Sequence, residues 1–300
     1  MPRPRTTPIF ARRRSRVRHL AGWLPIGLLL SVAATLVAVR VFDVSGTQAT
    51  DPGPVHVHAL GLDPATNFVF IATHSGLYRL PPEAERAERV GDRRQDTMGF
   101  TIAAPDRFLG SGHPDLRDDL PPLLGLIESR DAGRTWKSVS LLGEADFHVL
   151  RVSGRHIVGY EATGGRILTS ADEGRNWKAQ SPPRQLVDLV VSPDSSEILL
   201  AAAEDRLIRS RDGGRTWSDR GQSGGLLAWP RRDRLYLVDP SGRTWASFDG
   251  GGLWQPRGRI GGAPAAFLAV SAHTLYAATH DGSIKRSSDG GGTWITRSSP

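Results

Sequence analysis

Ser129-Arg-Asp131-Ala-Gly133-Arg-Thr135-Trp136 is the stretch on which the fold turns. It returns as Ser170-Ala-Asp172-Glu-Gly174-Arg-Asn176-Trp177, then as Ser210-Arg-Asp212-Gly-Gly214-Arg-Thr216-Trp217. Ser247-Phe-Asp249-Gly-Gly251-Gly-Leu253-Trp254 and Ser287-Ser-Asp289-Gly-Gly291-Gly-Thr293-Trp294 complete the series. The serines stand 41, 40, 37 and 40 residues apart, a period that points to four-stranded propeller blades. The chemistry of the motif is that of a tight turn. Ser and Asp side chains bond turn backbone groups, Gly accepts a positive φ, and Trp carries a large ring onto the outgoing strand.

Working outward, each repeat carries apolar or alternating runs between turn residues. In the last they are Phe267–Val270, Thr274–Ala278, Ser283–Arg286 and Thr293–Thr296. A degenerate repeat precedes the first motif, with His56–Leu62, Phe68–Thr73 and Gly76–Leu80 as strands and Pro81–Val90 in place of the turn. The predicted fold is therefore all-β, a single propeller of six four-stranded blades over residues 55–300. No terminal strand is left over to complete another blade, so closure falls to packing of blade 6 against blade 1.

The motif S-x-D-x-G-x-T/N-W resembles the Asp box, or BNR repeat, of sialidases and of many non-enzymatic propellers, including bacterial exported proteins labelled glycosyl hydrolases. The resemblance implies that the Asp-box residues are structural. It also implies that ligand sites lie on the opposite face of the ring.

Residues 1–18 hold seven Arg and no acid. Removing those seven from 38 basic residues leaves 31 against 31 acidic, so the body is neutral. A basic face for nucleic acid is not expected. Leu20–Val39 is a 20-residue uncharged run, long enough to span roughly 30 Å of hydrocarbon. With the arginines inside, the expectation is a basic cytoplasmic tail (1–19), a transmembrane signal-anchor (20–42), a linker (43–54) and an extracytoplasmic propeller at the cell membrane. Cleavage of the N-terminal segment would instead release a secreted domain. With no cysteine, disulfides, thiol catalysis and Cys-ligated zinc are excluded.

With strands a to d counted from the channel outward, the d–a and b–c loops open on one face. Six of nine histidines fall there. The expected ligand-binding set is His56, His58, His74, Asp96, Met98, His113, His148 and His280. Aligning the first strands pairs His56 with Asp146 and His58 with His148. Three readings follow. The first is a module that binds a glycan or protein ligand. The second is a sialidase-like glycoside hydrolase using Asp115, Asp146, Tyr160 and Glu161, since that chemistry needs two carboxyls or a Tyr nucleophile. It departs from the sialidase pattern: no Arg-Ile-Pro occurs, and Arg94 and Arg117 are the nearest candidates for a carboxylate clamp. The third is a divalent or copper ion held by His56, His58, His113 and His148, because imidazole suits zinc and copper and the thioether of Met98 suits Cu(I). The Gly112–Pro122 insertion is expected to cover the channel mouth.

Overall fold

The structure, a computed structural model, describes residue 51 and residues 53–300. The basic tail, the transmembrane segment and most of the linker lie outside the described residues. Among the described residues no helix is long and apolar enough to cross a membrane.

Among the described residues, twenty-four strands form six four-stranded antiparallel sheets, each built from four consecutive strands. The blades occupy residues 57–89, 96–140, 147–180, 186–219, 226–259 and 264–298. The innermost strands are Val57–Leu62, Asp96–Ala104, Phe147–Ser153, Leu186–Ser192, Leu226–Arg231 and Pro264–Ala269. Blade 1 keeps its fourth strand, reduced to Glu88–Arg89, behind the segment that replaces the turn motif.

Among the described residues no blade borrows a strand from the far end of the chain, and blades 1 and 6 meet through side chains. Val57, Leu60, Ile71 and Tyr78 of blade 1 share one core with Ala266, Ala278 and Ile284 of blade 6. At the outer edge Arg297 of blade 6 donates to the carbonyl of Ala84 at 2.6 Å and to that of Pro81 at 3.0 Å. Burial is non-directional and gains roughly 25 cal/mol per Å². The arginine adds the direction that fixes how the first and last blades meet.

The five repeat turns are alike in detail. In blade 4 the Ser210 hydroxyl donates to Asp212 Oδ1 at 2.8 Å and accepts from the Gly214 amide at 2.8 Å. Asp212 then accepts from the Thr216 amide at 2.9 Å and its hydroxyl at 2.6 Å. These bonds hold the Asp212 carboxyl at about 2, below its ordinary 3.8, with the Thr216 hydroxyl the largest cause. Asp172 is held at about 2 in the same way, chiefly by the side chain of Asn176. The fifth position of the motif has φ between 82° and 93°, left-handed in every copy. At Gly133 a Cβ would also collide with Leu77 of the preceding blade, so glycine serves both the turn and the blade interface. The motif tryptophans follow the same logic. Trp136, Trp177, Trp217, Trp254 and Trp294 each pack, partly buried, into the hydrophobic cluster shared with the preceding blade.

Candidate functional site

The channel mouth is shaped by a recurrent irregularity of the innermost strands. In blade 1 the register passes from Val57↔Thr73 to Ala59↔Ala72, leaving His58 without a partner. In blade 2 it passes from Thr97↔Gly112 to Gly99↔Ser111, leaving Met98. In blade 3 it passes from Phe147↔Glu161 to Val149↔Tyr160, leaving His148. Blades 4 and 6 bulge equivalently at Val187 and Ala265. A bulge re-aims the extra side chain. Here all five bulged residues line one cavity of about 270 Å³, together with Arg151, Asp188 and His280. His58, Met98 and His148 are therefore equivalent positions on three adjacent blades. His56, Asp96 and Asp146 each precede one of them by two residues.

Two imidazole–carboxylate groups flank this mouth. At the seam of blades 1 and 2, Asp96 stands 3.2 Å from His58 Nε2 and 2.8 Å from His74 Nδ1. The exposed His56 ring lies 6.3 Å from that of His74, edge on. At the seam of blades 2 and 3, His148 Nε2 meets Asp146 Oδ2 at 2.9 Å, and His113 Nε2 lies 3.7 Å away from the same oxygen. His113 Nδ1 is engaged with the Pro122 carbonyl at 2.9 Å, which turns the ring toward Asp146. The four imidazoles expected to hold a metal are thus divided between two seams. Among the described residues, ligand atoms of three such groups gather within 4.8 Å only at His58, His74 and Asp96. His280 stands exposed on the rim of blade 6.

The residues expected to do hydrolytic chemistry are otherwise engaged. Asp115 is buried and accepts from Arg117 Nε at 3.0 Å, from its Nη2 at 2.6 Å and from the Arg94 amide at 2.7 Å. The Arg117 guanidinium holds this carboxyl well below the usual carboxylate range. Glu161 has no exposed surface and accepts from the Gly164 amide at 2.9 Å and from Arg166 Nη2 at 3.1 Å. Tyr160 is 3% exposed and packs in the core between blades 3 and 4. Asp146 faces its two histidines. A carboxyl that answers to its own chain is not poised for proton transfer to a substrate. Of the candidate clamp, Arg117 spends its guanidinium on Asp115 and Asp92, whereas Arg94 gives Asp115 only its backbone amide.

The Gly112–Pro122 insertion does not reach over the cavity. None of residues 114–122 lines it. The loop is tied sideways to the segment before blade 2, by Arg94 to Asp115, by Arg93 to Asp118 and by Arg117 to Asp92. Leu116 at its tip is fully exposed, and Leu120 is exposed beside it.

Sequence reasoning put Asp188 on this face, among the fewer ionisable groups of blades 4 and 5, and gave it no role. It sits at the bulge of blade 4, buried, and accepts from Arg151 at 2.7 Å and from the Leu227 amide of blade 5 at 2.8 Å. Burial pushes its carboxyl up against the pull of Arg151. The signal in the sequence was an acid inside an apolar strand, Leu186-Val-Asp188-Leu-Val190.

No family model matches the chain, and no curated protein matches it. Among solved structures it is similar to YCF48 bound to D1 peptide, at 16% identity over 82% of this chain and 83% of that one, with a TM-score of 0.51. It is similar to the GH74 xyloglucanase from Xanthomonas campestris at 18% identity and a TM-score of 0.54. That match covers 81% of this chain and only 45% of the enzyme. A chain of the nidogen/laminin complex matches at 13% identity and a TM-score of 0.57, over 76% of this chain and 91% of that one. At these identities the likeness is one of fold. The six bladed sheets and these neighbours together make the chain a β-propeller.

Proposed function

We propose that the chain is a membrane-anchored, extracytoplasmic Asp-box propeller that binds a protein partner on its histidine-bearing face. The observation that carries this reading is the insertion loop. It is tied to the segment before blade 2 by two ion pairs and a hydrogen bond, yet it turns Leu116 and Leu120 outward to solvent. A loop ordered in advance loses little entropy on binding, and exposed leucines on such a loop gain by being covered. Similar propellers support the reading, one solved with the D1 peptide and one in the nidogen/laminin complex. Glycoside hydrolysis is the weaker reading, because Asp115 and Glu161 are committed to arginines and Tyr160 is buried in the core between blades. A glycan remains the alternative ligand of the same face.

Site-specific photo-crosslinking tests it in cells. A crosslinker at position 116 is expected to give one discrete protein adduct, lost with Leu120→Asp. The same group at position 215, on the repeat-turn face, is expected to give none. Equal labelling at both positions, or turnover of sialyl or xyloglucan substrates that Asp146→Asn abolishes, would sink the reading. The anchor is tested separately: a reporter fused after Pro300 is expected to be active only outside the cytoplasm, and cytoplasmic activity would refute it.

A further inference from the structure

We infer that His58, His74 and Asp96 form a site for a late first-row transition-metal cation at the seam of blades 1 and 2. His58 Nε2 and Asp96 Oδ1 are shielded from solvent and lack any hydrogen-bond partner, although they face each other at 3.2 Å. Two buried polar atoms brought together without a hydrogen bond are costly unless something lies between them. His74 Nδ1 approaches the other oxygen, Oδ2, at 2.8 Å, so both carboxylate oxygens are faced by imidazole nitrogen.

The spacing fits a shared cation. Donors roughly 2.0–2.1 Å from one ion lie about 2.8–3.4 Å apart when the angle between them is near 85–110°. The two contacts, one to each carboxylate oxygen, fall on that range, and one donor atom from each of the three residues lies within 4.8 Å of the others. Two imidazoles and a carboxylate suit zinc or copper, whereas calcium and magnesium demand oxygen ligands throughout. Three protein donors leave a further position open. The side chain of His74 is 56% exposed, which provides the entry path. The bulge in blade 1 directs His58 into the channel mouth, where Met98 also points.

The site at the next seam differs. There Asp146 already holds His148 in a hydrogen bond, and His113 spends Nδ1 on Pro122. That contrast gives the experiment its control. The full 300-residue chain, stripped with a chelator, is titrated with Zn²⁺ and with Cu²⁺ by calorimetry. One equivalent is expected, at least about 100-fold tighter than Ca²⁺ or Mg²⁺. His74→Ala is expected to weaken binding about 100-fold while leaving the melting temperature of the metal-free protein unchanged. His113→Ala is expected to leave affinity unchanged. Added Zn²⁺ should raise the melting temperature of the parent protein and not that of His74→Ala, since a ligand stabilises only the state that binds it. Electron paramagnetic resonance of the Cu²⁺ form should show two imidazole nitrogens. Absence of a bound equivalent, unchanged affinity in His74→Ala, equal weakening by His74→Ala and His113→Ala, or four coordinated nitrogens would each overturn the site.

Discussion

Asp188→Ala should lower the stability of the propeller by about 3 kcal/mol, read as a shift of the urea midpoint at unchanged slope. Asp188 joins three blades at the channel wall. Its carboxylate receives Arg151 from blade 3 at 2.7 Å, its own neighbour Leu189 at 2.7 Å and Leu227 of blade 5 at 2.8 Å. Truncation leaves the buried Leu227 amide unsatisfied, which alone costs about 1–3 kcal/mol. It also leaves the Arg151 guanidinium without its counter-charge. Burying Asp188 is itself unfavourable, as the direction of its pKa shows. Removing that cost offsets part of the loss, which keeps the expected value below the upper end for broken buried pairs. Asp188→Asn keeps one acceptor and should fall between. A loss under about 1 kcal/mol in Asp188→Ala would mean that the blades are held by their apolar clusters alone.

Glu161→Ala should cost about 2–3 kcal/mol, because a fully buried carboxylate is then removed from two kinds of charge-assisted partner. The Gly164 amide bonds both of its oxygens, at 3.1 and 2.9 Å, and Arg166 reaches Oε2 through Nε at 3.2 Å and Nη2 at 3.1 Å. These contacts close the turn between the second and third strands of blade 3. Glu161→Gln keeps an acceptor and should cost about 1 kcal/mol. The pair separates two roles for this residue. A turn brace predicts that chemical denaturation moves and that crosslinking from position 116 does not. A general acid predicts the reverse: a folded Glu161→Gln protein that has lost turnover of a glycoside substrate.

Much of the fold was legible because its information is local. The period near 40 residues is written in Ser, Asp, Gly and Trp. Those residues act within a single turn, through bonds such as Ser210 to Asp212 and Asp212 to Thr216 that span two to four positions. Blade number followed from counting turns. Strand edges were less legible: the innermost strand of blade 6 begins at Pro264, three residues before the apolar run that announced it. Edge pairing depends on the neighbouring strand more than on the residue's own character.

The candidate site was legible in part. The spacing of His56-Val-His58 and Asp146-Phe-His148 allowed the two strands to be aligned. The same alignment shows in Asp96-Thr-Met98 only once the bulges are seen. What no window of sequence contained was the choice of partner. Asp96 faces His58 and His74 of the blade before it, whereas Asp146 faces His148, two residues on in its own chain segment, and His113 of the blade before. Glu161 and Asp115 read as free acids until Arg166 and Arg117 were seen folded onto them.

By itself, then, the sequence determined the repeat, the turn chemistry, the six-bladed ring and the face on which the histidines collect. Each of those depends on hydrogen bonds within a few residues or on a period that can be counted. Only the tertiary structure decided which carboxylates are spent and which imidazoles share one. A strand bulge rotates a side chain through the pleat, and blades 40 residues apart in the chain meet at the channel. Those two effects act between segments, and a linear reading of either segment does not contain them.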